Sequence, residues 1–270
     1  MSRVIQVGTS GFSYKDWKGP FYPDDCRQGD MLSYYAGVFD TVELNFSYYR
    51  LPEPGQMDSM AETVGAVNPG FTFSIKAYRG MTHEITPEWT EQARLFRRAV
   101  GHLDEVGRLA AVLMQFPYSF HYTVQNRKHL DRLIGSLEGL PLACEFRNRE
   151  WMQQRVTDGL SRRGVAMVAV DEPQLDGLLP PTVISTAPLG YVRFHGRNRE
   201  NWWQGDNTSR YDYLYSGSEL AEWVPKVESL AESTRRTVIY FNNHWRGQAA
   251  ENAQQLRGMV VDTSATEGAP

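Results

Sequence analysis

Cysteine is almost absent: Cys26 and Cys144 are the two in 270 residues. Two thiols cannot build a disulfide framework, and Cys144 lies inside an apolar run where a small hydrophobe serves equally well, so a reducing cytosol is expected. Residues 1–8 lack the basic patch and apolar core of a secretion signal, which points to an unexported protein. Long hydrophobic runs are missing too. The longest, 109–114 and 165–170, fall far short of the ~20 residues a membrane helix needs, so a soluble chain with no membrane partner is expected. Charge of one sign is not in excess. A formal net charge of -4 excludes a general electrostatic pull toward nucleic acid or anionic lipid, and any anion binding must be local. The first turn, Gly8-Thr9-Ser10-Gly11, does not carry the spaced glycines of a dinucleotide fold. A phosphate-loop GKS/T, an HExxH or closely paired histidines, and a Ser-His-Asp order are likewise missing.

What is present is hydrocarbon organised in short alternating pieces. Of the residues 41% are hydrophobic and 12% aromatic, enough for the core of one large domain. In Tyr191-Val192-Arg193-Phe194-His195-Gly196 the odd positions share one face of a strand and Val192 and Phe194 the other. Thr41-Val42-Glu43-Leu44-Asn45, Ser74-Ile75-Lys76, Glu145-Phe146-Arg147 and Tyr240-Phe241-Asn242 repeat the alternation, each near the end of an apolar run. Parallel strands covered by helices on both faces read as continuous hydrocarbon, so repeated polar residues at strand ends ask for a reason. A barrel whose upper lumen is a ligand site supplies one.

Strands are expected at 4–7, 41–45, 71–76, 109–116, 142–147, 165–171, 191–196 and 237–242. Between them come helical spacings: 31–38, then Met57, Met60, Ala61 and Val64, then a helix opened by Thr86-Pro87 that buries Leu95, Phe96, Ala99 and Leu103. Leu130, Leu133, Ile134 and Leu137 mark the next, and Asn148 is available to cap the turn carrying Trp151. Ser216 with Glu219 forms a capping box ahead of Leu220, Trp223, Val224, Val227 and Leu230, and a last helix holds Ala249, Ala253 and Leu256. Eight strands alternating with helices, at a length near the ~250 residues of the class, predict a single-domain (β/α)8 TIM-type barrel over residues 1–262, with 263–270 a disordered tail. An open doubly wound sheet is the alternative.

Several of these segments carry a family resemblance. Gly8-Thr9-Ser10-Gly11-Phe12-Ser13-Tyr14 with Trp17 and Phe21-Tyr22-Pro23, Thr41-Val42-Glu43-Leu44-Asn45 leading to Tyr49-Arg50-Leu51-Pro52, and Phe73-Ser74-Ile75-Lys76-Ala77 with Thr82-His83 are similar to the YecE-like family, also called domain of unknown function 72. So are Glu145-Phe146-Arg147, Tyr191-Val192-Arg193-Phe194-His195-Gly196-Arg197, Arg210-Tyr211 with Tyr213-Leu214-Tyr215, and Phe241-Asn242-Asn243 with Gly247, Ala249 and Asn252-Ala253. The resemblance spans residues 4–260 and implies a TIM-type barrel without supplying a reaction.

In such a barrel Glu43, Asn45, Lys76, Gln115, Glu145, Arg147, Asp171, Arg193, His195 and Asn242 line the carboxyl-end mouth, where characterised enzymes of the fold keep their sites. A structural network of paired interior charges is the competing reading. His195 is the expected proton carrier, since its unperturbed pKa lies near neutrality, with Glu43 and Glu145 as further acid or base candidates. Lys76, Arg147 and Arg193 suit an anion or developing negative charge. Arg197, Asn243, Arg246 and Gly247 follow strands seven and eight just ahead of a helix, where this fold often holds phosphate. Tyr14, Trp17, Trp151, Trp202, Trp203 and Tyr211 are available to stack on a sugar or base, or simply to pack.

A divalent metal is possible at Glu43, Glu145, Asp171, His83 or His195 but is not favoured, because cations among the acids already neutralise them. The cofactor and the oligomeric state stay open. The leading expectation is an enzyme using general acid/base chemistry on a small anionic, phosphorylated or sugar-like substrate. A nucleic-acid binder or phosphodiesterase resembling endonuclease IV, and a non-catalytic ligand-binding barrel, are the alternatives.

Overall fold

Parallel strands alternate with helices along the whole chain. The computed structural model describes residues 4–266 and contains nine strands: β1 Val4–Thr9, β2 Thr41–Leu44, β3 Thr72–Lys76, β4 Leu109–Gln115, β5 Leu142–Glu145, β6 Ala166–Met167, β7 Ala169–Asp171, β8 Leu189–Phe194 and β9 Arg236–Phe241. Every pairing is parallel. One sheet runs β1-β9-β8-β7 and the other β2-β3-β4-β5-β6. The expected sixth strand is therefore two. It breaks at Val168, with Met167 paired to β5 and Ala169 to β8.

The sheets meet where β1 passes β2. Gly11 N–H donates to the Glu43 carbonyl at 2.7 Å, and Ser10 forms an isolated parallel bridge with Glu43. The approach is close enough to require glycine: a Cβ on Gly8 would stand 2.0 Å from the Thr41 carbonyl oxygen.

Alternation sorts the strand residues as a pleat demands. Val42, Leu44, Phe73, Ile75, Val192, Phe194, Ile239 and Phe241 are buried in one hydrocarbon core, where Phe194 stacks on Phe241 at 4.4 Å. The opposite faces are also buried, but polar. Tyr240 of β9 reaches across to Thr41 Oγ1 (2.6 Å) and Ser74 Oγ (2.8 Å), and Thr72 Oγ1 contacts Gln6 Oε1 at 3.1 Å. Hydroxyls and amides satisfy one another there, as burial of polar groups requires.

The helices follow the expected positions with local corrections. Met31–Val38, Pro54–Gly65 and Val124–Ser136 are helical. The helix expected to open at Thr86-Pro87 runs Trp89–Glu105 and buries Phe96, Ala99 and Leu103, whereas Leu95 is 38% exposed. The Ser216/Glu219 capping box is formed, but the helix after it is interrupted, Gly217–Ala221 and then Val224–Glu232. The last helix, Gln248–Thr266, takes in positions 263–266 of the expected tail, and 267–270 lie outside the described residues. Among the described residues no helix is long and apolar enough to cross a membrane.

A candidate anion site at the strand ends

Above the hydroxyl layer the interior becomes ionic. Arg193 on β8, 2% exposed, bridges two carboxylates: Nη2 donates to Glu43 Oε1 and Nη1 to Glu145 Oε2, both at 2.7 Å. Glu43 also accepts from Ser10 Oγ (2.8 Å) and Tyr191 OH (2.7 Å). Glu145 accepts from Arg147 Nε at 2.5 Å and lies 3.3 Å from His195 Nε2. Arg147 reaches on to Glu172 Oε2 at 3.3 Å and to His195 Nε2 at 3.0 Å, and the Asn242 amide is 3.2 Å from His195 Nδ1. Residues from β2, β5 and β8 and from just beyond the ends of β1 and β9 are thus joined in one network.

The network fixes protonation. Burial pushes the Glu145 carboxyl up, but Arg193, Arg147 and His195 together outweigh it and hold it well below the usual carboxylate range. Burial, reinforced by Arg147, holds His195 well below its ordinary value, so the imidazole is neutral at pH 7. Burial raises Glu172 to about 7 against the pull of Arg147. Glu145, locked as an anion under two guanidinium groups, has no proton to give at neutral pH.

Over this floor opens a cavity of about 760 Å³. Its charged lining consists of Lys76, Arg79, Arg147, Arg193 and Arg210, with no carboxylate among the described residues. Asn45, Gln115 and Asn242 add amides, and Tyr14, Tyr48, Tyr49, Tyr118, Trp202, Trp203 and Tyr211 add rings. Tyr49 and Trp203 stand 60% and 50% exposed, each edge-on to one neighbouring ring, Tyr48 at 5.0 Å and Tyr118 at 4.9 Å. Several lining groups are held in unfinished polar contacts: Arg193 Nε, Arg210 Nε and Asn45 Oδ1 are buried without a hydrogen-bond partner. Lys76 projects its ammonium over the Tyr48 ring at 4.3 Å. Burial, with Arg193 adding repulsion, pushes it down to about 7. Burial and the neighbouring Lys76 depress His83 to about 3, so it too is neutral.

The expected site residues therefore fall into three groups. Asn45, Lys76, Gln115, Arg147, Arg193, Asn242, Tyr14, Trp202, Trp203 and Tyr211 line the cavity. Glu43, Glu145 and His195 form the buried layer beneath it. The remainder lie elsewhere. Asp171 points away, accepting from Arg197 Nη2 (2.8 Å), Tyr215 OH (2.7 Å) and Trp223 Nε1 (2.7 Å), so Asp171 and Arg197 clamp loops to a helix. Its neighbour Glu172 meets Arg147 instead. A one-residue shift at the break in strand six exchanges the faces. Asn243 bonds the Tyr213 carbonyl and Asn252, and Arg246 N–H donates to Asp16, so both are occupied in structural contacts. Trp17 is wholly buried with Nε1 on the His244 carbonyl, and Trp151 stacks between Phe120 and Phe146. Sequence reasoning did not name Glu172, Tyr48, Arg79, Leu178 or Arg210 as site residues, although Arg210 stands in a motif quoted for the family resemblance. For Tyr48 and Arg79 a signal existed in the short segments just after β2 and β3.

The comparisons agree with the quoted motifs. A family model described as "Protein of unknown function DUF72" matches residues 6–270. The chain belongs to the DUF72 family. UPF0759 protein YunF of Bacillus subtilis is 29% identical over 269 residues, covering 94% of this chain and 93% of YunF. A DUF72 crystal structure from Thermotoga maritima superimposes with a TM-score of 0.86 at 38% identity, covering 95% of this chain and 99% of the other. Another DUF72 protein, from Enterococcus faecalis, gives 0.83 at 28% identity, with 95% of each chain covered. D-psicose 3-epimerase crystallised with D-fructose gives 0.50 at 11% identity over 87% of this chain and 93% of that one, a likeness of fold alone. The names of these three DUF72 relatives state no reaction. Among the described residues no three His, Cys, Asp or Glu side chains are grouped to hold a metal ion.

Proposed function

We propose that the two sheets are halves of one (β/α)8 barrel, and that its carboxyl-end mouth binds a small anionic substrate, phosphorylated or sugar-like, for proton-transfer chemistry. The Gly11 to Glu43 hydrogen bond at the β1/β2 seam and the sharing of the sixth strand between the sheets support closure. The likeness of fold to D-psicose 3-epimerase is compatible with it.

The observation that carries the functional reading is the charge sorting of the cavity: five cationic side chains on its wall and the glutamates confined below. Arg147 and Arg193 are paired with the glutamates below and Arg79 with Glu84, which leaves Lys76 and Arg210, among the described residues, facing the open volume without a carboxylate partner, an arrangement that stability alone does not call for. In this reading Arg147 and Arg193 hold the anion, Lys76 faces the reacting atoms, and Glu43, Glu145 and His195 position the arginines. The rim rings Trp203, Tyr49 and Tyr118 suit the flat or apolar face of the rest of the substrate. In a melting screen of the folded protein, phosphorylated and carboxylated metabolites should raise the melting temperature saturably, with ~2.7 kcal/mol of stabilisation at a hundredfold excess over Kd. Stabilisation by neutral sugars alone, or by no small anion at any concentration, refutes the reading.

The exposed Trp203 and Tyr49 also favour a second reading, in which the anion is a phosphodiester of a nucleic acid. Binding of oligonucleotides with a steep dependence on salt, and indifference to monophosphates, would select it.

A further inference from the structure

Lys76 differs from every other lysine in the chain. The remaining four are Lys15, Lys18 and Lys128, which are exposed, and Lys226, which lies over the Trp223 ring at 4.6 Å. Lys76 ends β3 with its side chain in the cavity, and among the described residues its ammonium has neither a hydrogen bond nor an ion pair. The groups that act on it are Arg193 and Arg147, which repel its charge, and Glu43 and Glu145, which favour it but are already held by those same arginines. Its ammonium lies 4.3 Å from the centroid of the Tyr48 ring. A primary amine that is half-buried, crowded by fixed guanidinium charge and not paired with a carboxylate is in the state that makes lysine a nucleophile.

We infer that Lys76 captures the carbonyl carbon of an anionic oxo compound as an iminium ion, with Arg147 and Arg193 holding the substrate's acid group. This rests on the anion reading of the same cavity and names the substrate class within it: a ketone or aldehyde carrying a carboxylate or a phosphate. In the step, the Nζ lone pair forms a bond to the carbonyl carbon and the oxygen takes up a proton, giving a carbinolamine. The C–O bond then breaks as the hydroxyl leaves with a second proton as water. One of these protons comes from Nζ and the other from solvent, so that amine, carbonyl and one proton become iminium and water. The positive iminium withdraws electrons from the neighbouring carbon, which is the use such an adduct has in proton abstraction or carbon–carbon bond cleavage.

The test is reductive trapping of the full-length protein at pH 7 with pyruvate in one arm and dihydroxyacetone phosphate in the other. Cyanoborohydride is the hydride donor that converts the iminium to a stable secondary amine, and intact-mass and peptide mapping read the adduct. One adduct per chain is expected, on Lys76, in at least tenfold excess over the four other lysines, and suppressed by inorganic phosphate. The arm that labels tells a carboxylate from a phosphate as the acid group, and unphosphorylated dihydroxyacetone should label poorly. Lys76→Arg and Lys76→Met, checked for a cooperative melt, should lose the adduct. Labelling spread over the five lysines according to exposure, or surviving in Lys76→Arg, overturns the inference. If phosphate stabilises both wild type and Lys76→Arg while no adduct forms, the covalent step falls and the anion reading stands. If phosphate stabilises neither, the anion reading falls with it.

Discussion

Glu145→Gln tests the buried network most directly. The wild-type carboxylate stands 2.5 Å from Arg147 Nε, 2.7 Å from Arg193 Nη1 and 3.3 Å from His195 Nε2, and it is wholly buried. The amide keeps the shape but removes the charge and turns one acceptor into a donor facing a donor. Arg193 would retain Glu43, at 2.7 Å. Arg147 would fare worse, because its other carboxylate, Glu172, is 3.3 Å away and, with its pKa near 7, only partly ionised at neutral pH. Removing one partner from a buried ion pair costs about 3–5 kcal/mol. At ~2–4 °C per kcal/mol for a chain of this size, the melting temperature should drop by roughly 6–20 °C. Calorimetry at pH 7, with urea unfolding as a check on cooperativity, measures it. Phosphate should restore part of the loss in the variant. The sign with pH follows from the depressed folded pKa: Glu145 stabilises above the unfolded carboxylate value of ~4.3, and that contribution fades as pH falls through the much lower folded value. The wild type should therefore lose stability more steeply in acid than Glu145→Gln. A loss below about 1 kcal/mol at pH 7, or identical acid profiles, would refute the reasoning, because the two guanidinium groups would then not depend on this carboxylate.

Lys76→Met should raise stability by about 1–3 kcal/mol at pH 6 while weakening anion binding at least tenfold. A lysine held at about 7 in the fold and ~10.4 unfolded penalises the native state increasingly as pH falls from ~10 to about 7 and by a constant amount below that, so the gain should shrink as pH rises from 7 toward 10 by melting-temperature measurement. Glu172→Gln should flatten the opposite slope. A carboxyl raised to about 7 stabilises the fold below the unfolded value and loses that contribution as pH rises through 7, so the variant should gain on the wild type between pH 5 and 8 in urea titrations. Trp203→Ala should leave stability within about 0.5 kcal/mol, as expected for a half-exposed side chain, yet weaken a stabilising ligand by ~0.5–1.5 kcal/mol in calorimetric titration. Gly8→Ala should cost well over 2 kcal/mol in chemical denaturation, since the added Cβ meets backbone rather than a yielding side chain.

Strands were legible because a pleat writes its two faces into alternate letters. Tyr191, Arg193 and His195 share the polar interior while Val192 and Phe194 share the hydrocarbon, as their spacing required. The same logic misplaced Asp171. Its strand looked continuous over 165–171, and nothing in the letters marks the break at Val168. Asp171 and Glu172 are both acidic, so composition could not say which one faced Arg147. The distinction between wall and floor was equally hidden. Glu43, Glu145 and His195 are sound acid and base types, but that Arg193 and Arg147 lie over the two carboxylates is a matter of side-chain reach and not of pattern. Aromatic roles were the least legible. Trp151, between Glu150 and Met152, and Trp203, between Trp202 and Gln204, each have one polar and one apolar neighbour, yet one is stacked in the core and the other half-exposed at the rim.

The two-handed grip of Arg193 on Glu43 and Glu145 ties a strand of one sheet to two strands of the other. Whatever molecule settles on that guanidinium thus rests on a rivet of the fold. Changes of preference among ligands should then accumulate in the rim segments around Tyr49, Tyr118 and Trp203, where an altered side chain retunes the guest without loosening the frame. Drift at the rivet itself would be tolerated only as paired substitutions that keep both joints closed.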